Sequence, residues 1–310
     1  MMIIFGKILR RIRNHGRGLV TLGREVAEMK VLNGTLLAEV IRQRGRLADI
    51  REAEFKVFSQ FGEDGILQYL IRQVGIPEAA RSFVEFGVET FDEANTRFLL
   101  IKDNWRGLII DGSEKNMRVV RESSLYWRHN LTAVTAFINR DNINDLIRDA
   151  GFTGEIGILS VDIDGNDYWV WERIDAVDPI IVVCEYNSGF GPDHAITIPY
   201  DPGFMRSKAH HSHLYWGCSL KAWAHLAAKK GYALVGSNSA GNNAFFVRRD
   251  KLSGLRELSA EEAYVESQFR ESRDSNGRLT YLNGKWRLDE IKAMKVVEVE
   301  TGAVRAIGEL

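Results

Sequence analysis

Only two cysteines, Cys184 and Cys218, occur in the 310 residues, which excludes a disulfide framework and a CxxC metal site and suits a reducing compartment. No apolar run approaches ~20 residues, so the sequence offers no membrane-spanning helix. MMIIFGKILRRIR starts like a signal peptide, but its charges follow a short apolar patch instead of preceding a long one. A cytoplasmic protein is expected, with contact at the inner face of a membrane left open. Strong net charge is absent too. The formal −1 gives no reason to expect a nucleic-acid partner. Internal repeats and low-complexity segments are also lacking.

The charge that is present is uneven. Residues 1–51 hold 11 Lys/Arg against 4 Asp/Glu, whereas residues 52–310 hold 30 against 38. Residues 1–54 read as a basic helical arm. Ile4, Ile8 and Ile12 recur every four residues among Lys7, Arg10, Arg11 and Arg13, and Leu22, Val26, Met29, Leu36 and Val40 continue a rough stripe broken at Asn33-Gly34. Such a face packs on its own domain, on a second copy of the chain or on a membrane surface; a homo-oligomer through these helices is expected.

From residue 56 onward, apolar runs alternate with helical stretches, the pattern of a parallel α/β sheet. Strands are expected at 82–87, 107–112, 131–138, 156–164 and 179–187. A helix should begin near Glu93 and another should cover 219–232, separated by a polar loop at 188–217. The runs at 233–236 and 243–249 close as a hairpin around SNSAGN and supply an antiparallel strand. The domain at 55–250 is therefore α/β, with a seven-stranded, mostly parallel sheet and helices on both faces. Cys184, inside an apolar run, belongs to its core. Residues 251–310 read as a charged helical tail with short strands, packed on this domain without a core of its own.

The chemistry gathers at strand ends, where open parallel sheets bind ligands. The first strand ends in VEFGVET. Glu85 can accept from an ammonium or from backbone amides, and Gly87 lets the backbone approach a bound group. No GxGxxG follows, so no pyrophosphate cradle is implied. The next strand ends in Asp111, placed to hold the two hydroxyls of a ribose. Glu85 and Asp111 without a phosphate loop point to a nucleoside ligand lacking phosphates, and S-adenosylmethionine is one.

LSVDIDGND (159–167) runs from an apolar strand into three carboxylates, a costly arrangement that usually marks a site. A phosphatase of the haloacid dehalogenase type would place its DxD on the first strand, and here it follows the fourth. A metal-dependent glycosyltransferase would use Asp162 and Asp164 to hold a metal and sugar nucleotide, but leaves Asp111 without a task. A methyltransferase places an acid after its fourth strand.

The order of SQFGEDGIL, FVEFGVET, NTRFLL, GLIIDG, LSVDIDGNDYWVW, VVCEYN and GCSLKAWAHLAAKKGYALVG resembles FkbM-type S-adenosylmethionine-dependent methyltransferases over residues 56 to 250. The resemblance implies a Rossmann-like class I methyltransferase fold. It implies that Glu85 and Gly87 lie against the methionine part of the cofactor, Asn95 and Thr96 near its carboxylate, and Asp111, with Gly112, at the ribose. Phe137, Ile138 and Asn139 would border the adenine, and Gln60 and Glu63 would close the pocket. Where the family often has a second glycine four residues after the first, this chain has Phe91.

Asp162 would then stand beside the transferring methyl as base, acceptor-orienting group or cofactor holder, with Asp164 on the loop beyond it. Asp162, Glu185 and Asn187 resemble an oxygen-ligand set for Mg²⁺, although a hydrogen-bonded polar cluster without metal is the favoured reading. His210, His211 and His213 lie in a loop of the kind that covers such a pocket and suit proton abstraction. Tyr186, Asn187 and Tyr200 are candidate substrate contacts. Methyl transfer to a hydroxyl of a sugar, glycan or related metabolite is expected. Alternatives are the glycosyltransferase and a cofactor-binding scaffold without catalysis.

Overall fold

The structure is a computed structural model that describes the backbone from Met2 to Leu310 and side chains from Leu22 onward. Helix α1 (Met2–Arg44) is continuous, so the break expected at Asn33-Gly34 does not occur. A Cβ on Gly34 would fall 2.4 Å from Val57 Cγ2 and 2.8 Å from Phe98 Cζ. Glycine is there for close approach, and Val31 and Ile41 join it against the domain. Leu22, Val26, Met29, Leu36 and Val40 instead remain exposed, at 46–65%. That stripe therefore does not pack on its own domain, as one expectation had it; a different face of the helix does. The stripe at Ile4, Ile8 and Ile12 lies outside the residues whose side chains are described. Among the described residues no helix is long and apolar enough to cross a membrane.

The chain then enters α2 (Glu63–Val74), whose start is fixed by buried Asp64: its Oδ2 accepts from the amides of Val57, Phe58 and Ser59 at 2.7–2.8 Å. Alternation follows as β1 (Ser82–Phe86), α3 (Arg97–Asp103), β2 (Arg106–Asp111), α4 (Glu114–Glu122), α5 (Ser124–Arg128), β3 (Leu131–Thr135), α6 (Ile143–Asp149), β4 (Gly154–Val161), α7 (Asp167–Arg173) and β5 (Val177–Glu185). The segment expected to be a polar loop holds β6 (Ile196–Thr197) and α8 (Arg206–Ala209). After α9 (Leu220–Lys229) come β7 (Tyr232–Ser237) and β8 (Asn243–Arg248).

The main sheet has the order β3-β2-β1-β4-β5-β8-β7, with β8 antiparallel to both neighbours. This is the Rossmann-like architecture expected from the sequence: seven strands, mostly parallel. Strand direction explains the two-sided burial. Alternate residues of each strand point to opposite faces. Val84, Leu108, Leu159 and Val182 join one apolar cluster with Trp171 and Trp223, whereas Phe83, Ile109, Ile158 and Ile181 join another with Leu67 and Leu70. Cys184 and Cys218 are both buried and unbonded.

The tail is less helical than expected and carries short strands, as the sequence suggested. It has only the short helices α10 (Ala260–Ala263) and α11 (Lys285–Glu290), followed by a hairpin of β9 (Lys295–Glu298) and β10 (Val304–Ala306). Strand β9 pairs with β6, which makes a second sheet of three strands. Phe190, Ile196, Ile198, Leu214 and Tyr215 from the middle of the chain bury against Ile291, Val296 and Ile307 from the tail. Neither segment has enough apolar surface alone, so the core exists only when they meet.

Candidate active site

The order of strands reverses between β1 and β4, and the cleft opens there, at their carboxyl ends. It has two connected lobes. One, of about 240 Å³, is lined by Asp111, Gly112, Phe137, Ile138, Asn166 and Phe204 among others; the second, of about 340 Å³, lies toward β5. Gly87, Glu89, Asp162 and Asp164 border both lobes.

Gly87 has a positive φ of 68°, and a Cβ there would fall 1.9 Å from the carbonyl oxygen of Asp162. The glycine thus permits contact between two strand ends, where the sequence suggested contact with a ligand. Beyond it, Glu89 and Phe91 also take positive φ, 47° and 60°, and Phe91 is buried. A bulky residue in this region costs roughly 1–2 kcal/mol, so the loop must be held. Asp111 does part of this. Its Oδ2 accepts from Glu89 N at 2.9 Å and its Oδ1 from Ser113 N at 2.7 Å, which leaves each oxygen a further lone pair on a residue that lines the smaller lobe. Arg97 Nη1 donates to the Phe91 carbonyl at 2.8 Å.

Glu85 lines the larger lobe, but its carboxylate serves α3: it accepts from Asn95 N at 2.8 Å, from Thr96 N at 3.1 Å and from Thr96 Oγ1. Burial pushes it up to about 7 despite these donors. Asn95 Nδ2 donates to Ser160 Oγ, and Thr96 is buried away from the cavity lining. Gln60 reaches the larger lobe; Glu63 does not, because its Oε1 takes the amides of Asn238 and Asn243 and ties α2 to the β7–β8 turn. Phe137 is half-exposed over the smaller lobe, Ile138 lines it, and the Asn139 side chain instead caps the turn before α6 through Asp141 N and Asn142 N.

Asp162 and Glu185, at the ends of neighbouring β4 and β5, meet side by side in hydrogen-bond contact. Burial pushes both carboxyls well up. Asp164 and Asp167 raise Asp162 further, and Asp162 raises Glu185. Two such groups share protons and titrate as a pair. Glu185 Oε2 is enclosed and accepts no hydrogen bond from an amide or hydroxyl of the protein, which adds to the cost of charging the pair. Asp164 points elsewhere, to Arg206 Nη1 at 2.6 Å. Asp167 accepts from Ile163 N and Gly165 N and is a loop cap.

Three assignments expected from the sequence need correction. Asn187 is buried with its Nδ2 donating to the carbonyls of Leu214 and Trp216 and its Oδ1 accepting from Gly189 N. It clamps the 214–216 segment, and the expected Mg²⁺ set shrinks to two carboxyls that hold protons between them. His210, His211 and His213 do not line either lobe; they face Ser212, Glu290 and Glu271, with His213 Nδ1 3.7 Å from Glu271. Tyr200 stacks under the Arg140 guanidinium and edge-on to Trp169, outside both lobes. Tyr186 does line the larger lobe, although its hydroxyl donates to the Val265 carbonyl.

The sequence reading missed Arg206, Trp216, Asn242, Ser267, Phe269, Glu271 and Arg287, which line the larger lobe. Four of these come from the tail. None sits on a strand end or in a periodic pattern, so no local signal marks them.

No protein-family model matches the chain, and no curated protein matches it significantly. Solved structures do. An O-methyltransferase from Bacillus cereus in complex with SAH is 14% identical, with 70% of this chain and 89% of that chain covered and a TM-score of 0.38. A putative caffeoyl-CoA O-methyltransferase from Staphylococcus aureus is 14% identical, with 70% and 99% covered and a TM-score of 0.40. The methyltransferase domain of bacterial CtHen1-C is 15% identical, with 58% and 97% covered and a TM-score of 0.33. Identities and scores this low carry no function across, and what the chain can do is read from its own strand order and cleft.

Proposed function

We propose that the chain is an S-adenosylmethionine-dependent methyltransferase that acts on a hydroxyl of a sugar, glycan or related metabolite. The observation that carries this reading is the Asp162–Glu185 pair, set where a cleft fit for a nucleoside opens into a second lobe. The residues present fit the cofactor. Asp111 keeps a lone pair on each oxygen for ribose hydroxyls, Phe137 and Ile138 offer an apolar wall for adenine, and the carboxylates around Gly87 suit a sulfonium and an ammonium. When bound, S-adenosylmethionine supplies an electrophilic methyl on a sulfonium. The FkbM-type assignment rests on the ordered motifs alone.

Methyl transfer needs alignment and removal of the acceptor proton. Burial and mutual repulsion hold both carboxyls well above their usual range, so Glu185 and Asp162 share a proton between them. The Asp162–Glu185 pair orients the acceptor hydroxyl and takes up its proton. The glycosyltransferase alternative loses support, because Asp164 pairs with Arg206 and does not converge with Asp162 on a metal. Calorimetric titration with S-adenosylhomocysteine tests the reading. Absence of binding refutes it, and binding without turnover on any hydroxyl acceptor favours the scaffold.

A further inference from the structure

We propose that the larger lobe binds an anionic group of the acceptor, a phosphate or carboxylate, through Arg287 with help from Arg206 and Trp216. This deepens the methyl-transfer reading and rests on it. Arg287, on α11, is only 8% exposed. Among the described residues its guanidinium makes no ion pair or hydrogen bond, and its Nε is wholly enclosed without a partner. An enclosed, unpaired cation is costly, and it is retained where a partner arrives from outside. Arg287 lines the larger lobe, where such a partner would arrive.

Two further donor residues line the same lobe. Trp216 Nε1 is also buried and unpartnered, and its ring lies 4.8 Å beneath the Arg206 guanidinium. Arg206 spends Nη1 on Asp164 and Nε on the His213 carbonyl, which leaves Nη2. The nearby carboxylates leave its donors open: Glu271 is taken by Arg273 at 2.9 Å, and Glu266 acts on Arg287 through its charge without a hydrogen bond to it. A guanidinium and an indole N–H with open valences match phosphate or carboxylate oxygens.

Position separates this anion from the carboxylate of the cofactor. Arg287, Arg206 and Trp216 border only the larger lobe, beside Asn187 and Gly189 on the β5 side, whereas Asp111 borders only the smaller one. The carboxyl pair stands between the two sets. An acceptor anchored at Arg287 therefore presents a hydroxyl to Asp162 and Glu185 from the side opposite the nucleoside.

The test titrates glucose 6-phosphate, glucuronate and glucose into the full-length protein, with and without S-adenosylhomocysteine. It compares the wild type with Arg287→Leu, Arg287→Lys and Arg206→Leu. The charged sugars should bind and glucose should not, with Arg287→Leu weakening the charged ligands about tenfold or more while S-adenosylhomocysteine affinity stays unchanged. The tighter of the two charged sugars identifies phosphate or carboxylate as the preferred group. Arg287→Leu removes an unpaired charge and should keep or raise the melting temperature. Were it to fail to fold, Arg287→Lys, which keeps the charge but loses the planar fork, should still weaken binding. Equal binding of glucose and its charged derivatives overturns the proposal. A matching loss of S-adenosylhomocysteine affinity in Arg287→Leu also overturns it, by assigning the guanidinium to the cofactor. Failure of S-adenosylhomocysteine to bind the wild type refutes the methyl-transfer reading instead, while phosphate-sugar binding that depends on Arg287 still upholds the anion subsite.

Discussion

The two lobes of the cleft are built by different means. The smaller one is made by the tips of β1, β2, β4 and the turn after β3, each within a few residues of a regular strand. The larger one draws on Asn187, Arg206, Trp216, Ser267, Phe269 and Arg287, most of which sit on irregular chain held by a second sheet. The first is set by sheet geometry that any such fold shares; the second depends on how one loop and one tail lock together. Donor binding and acceptor choice should therefore respond to separate mutations.

Asp162→Asn tests the boundary between lobes with the largest effect. It should lower turnover about 10²–10⁴-fold, the worth of a positioned acid–base group, with S-adenosylhomocysteine affinity retained. The wild-type rate should rise with pH through an acid limb set by the raised pair, because only the deprotonated pair accepts the proton. A pH-independent rate would remove the pair from the chemistry.

Glu85 serves the scaffold under both lobes. Its carboxyl goes from 4.5 to about 7 on folding, so below pH 4.5 both states are protonated and between these values only the folded state keeps the proton. Stability should fall by roughly 3 kcal/mol as pH rises through that window, by the conversion of pKa differences into free energy. Urea midpoints should show a shallower fall for Glu85→Gln; an unaltered slope would mean that other groups carry it.

Asp111→Asn should weaken S-adenosylhomocysteine by about 1.5–3 kcal/mol, as expected for hydrogen bonds to a charged group, and leave Arg287-dependent binding alone. Asp111→Ala is less clean, since it also frees the amides of Glu89 and Ser113 and should lower the melting temperature. Equal weakening of both lobes would break the comparison.

The smallest effects come from the parts away from both lobes. Removal of residues 1–29 spares buried Ile41 and Ile50 and should leave ligand affinities intact, while the mass in solution falls if the exposed face of Leu22, Val26 and Met29 joins two copies. An unchanged mass would rule out that role. EDTA, and single His210→Ala, His211→Ala or His213→Ala changes, should leave turnover unaltered; loss restored by Mg²⁺ would return a metal to the Asp162 end.

The sheet was legible because β-branched runs such as IIVV at 180–183 are buried on both faces and admit few other roles. Asp111, Asp162 and Glu185 were legible because they interrupt such runs at their ends. Asn187 and the histidines misled for one reason: residue type indicates what a side chain can bind, while nearby carbonyls and carboxylates had already claimed these groups. Gly34 misled in the other direction, since a helix tolerates glycine wherever another element must come close. Arg287 was illegible because its meaning lies in a missing partner, which only three dimensions reveal.

The contact between Gly87 and the Asp162 carbonyl has a thermodynamic consequence. With no room for even a methyl group between the two backbones, the loop that Asp111 secures cannot shift without carrying the carboxyl pair along. Occupancy of one lobe should then be felt in the other, and linkage requires any such influence to be mutual. Whatever factor S-adenosylhomocysteine adds to acceptor affinity, the acceptor must add to S-adenosylhomocysteine. A substitution of Gly87 that pries the strands apart would uncouple the two binding events even where each ligand alone still binds.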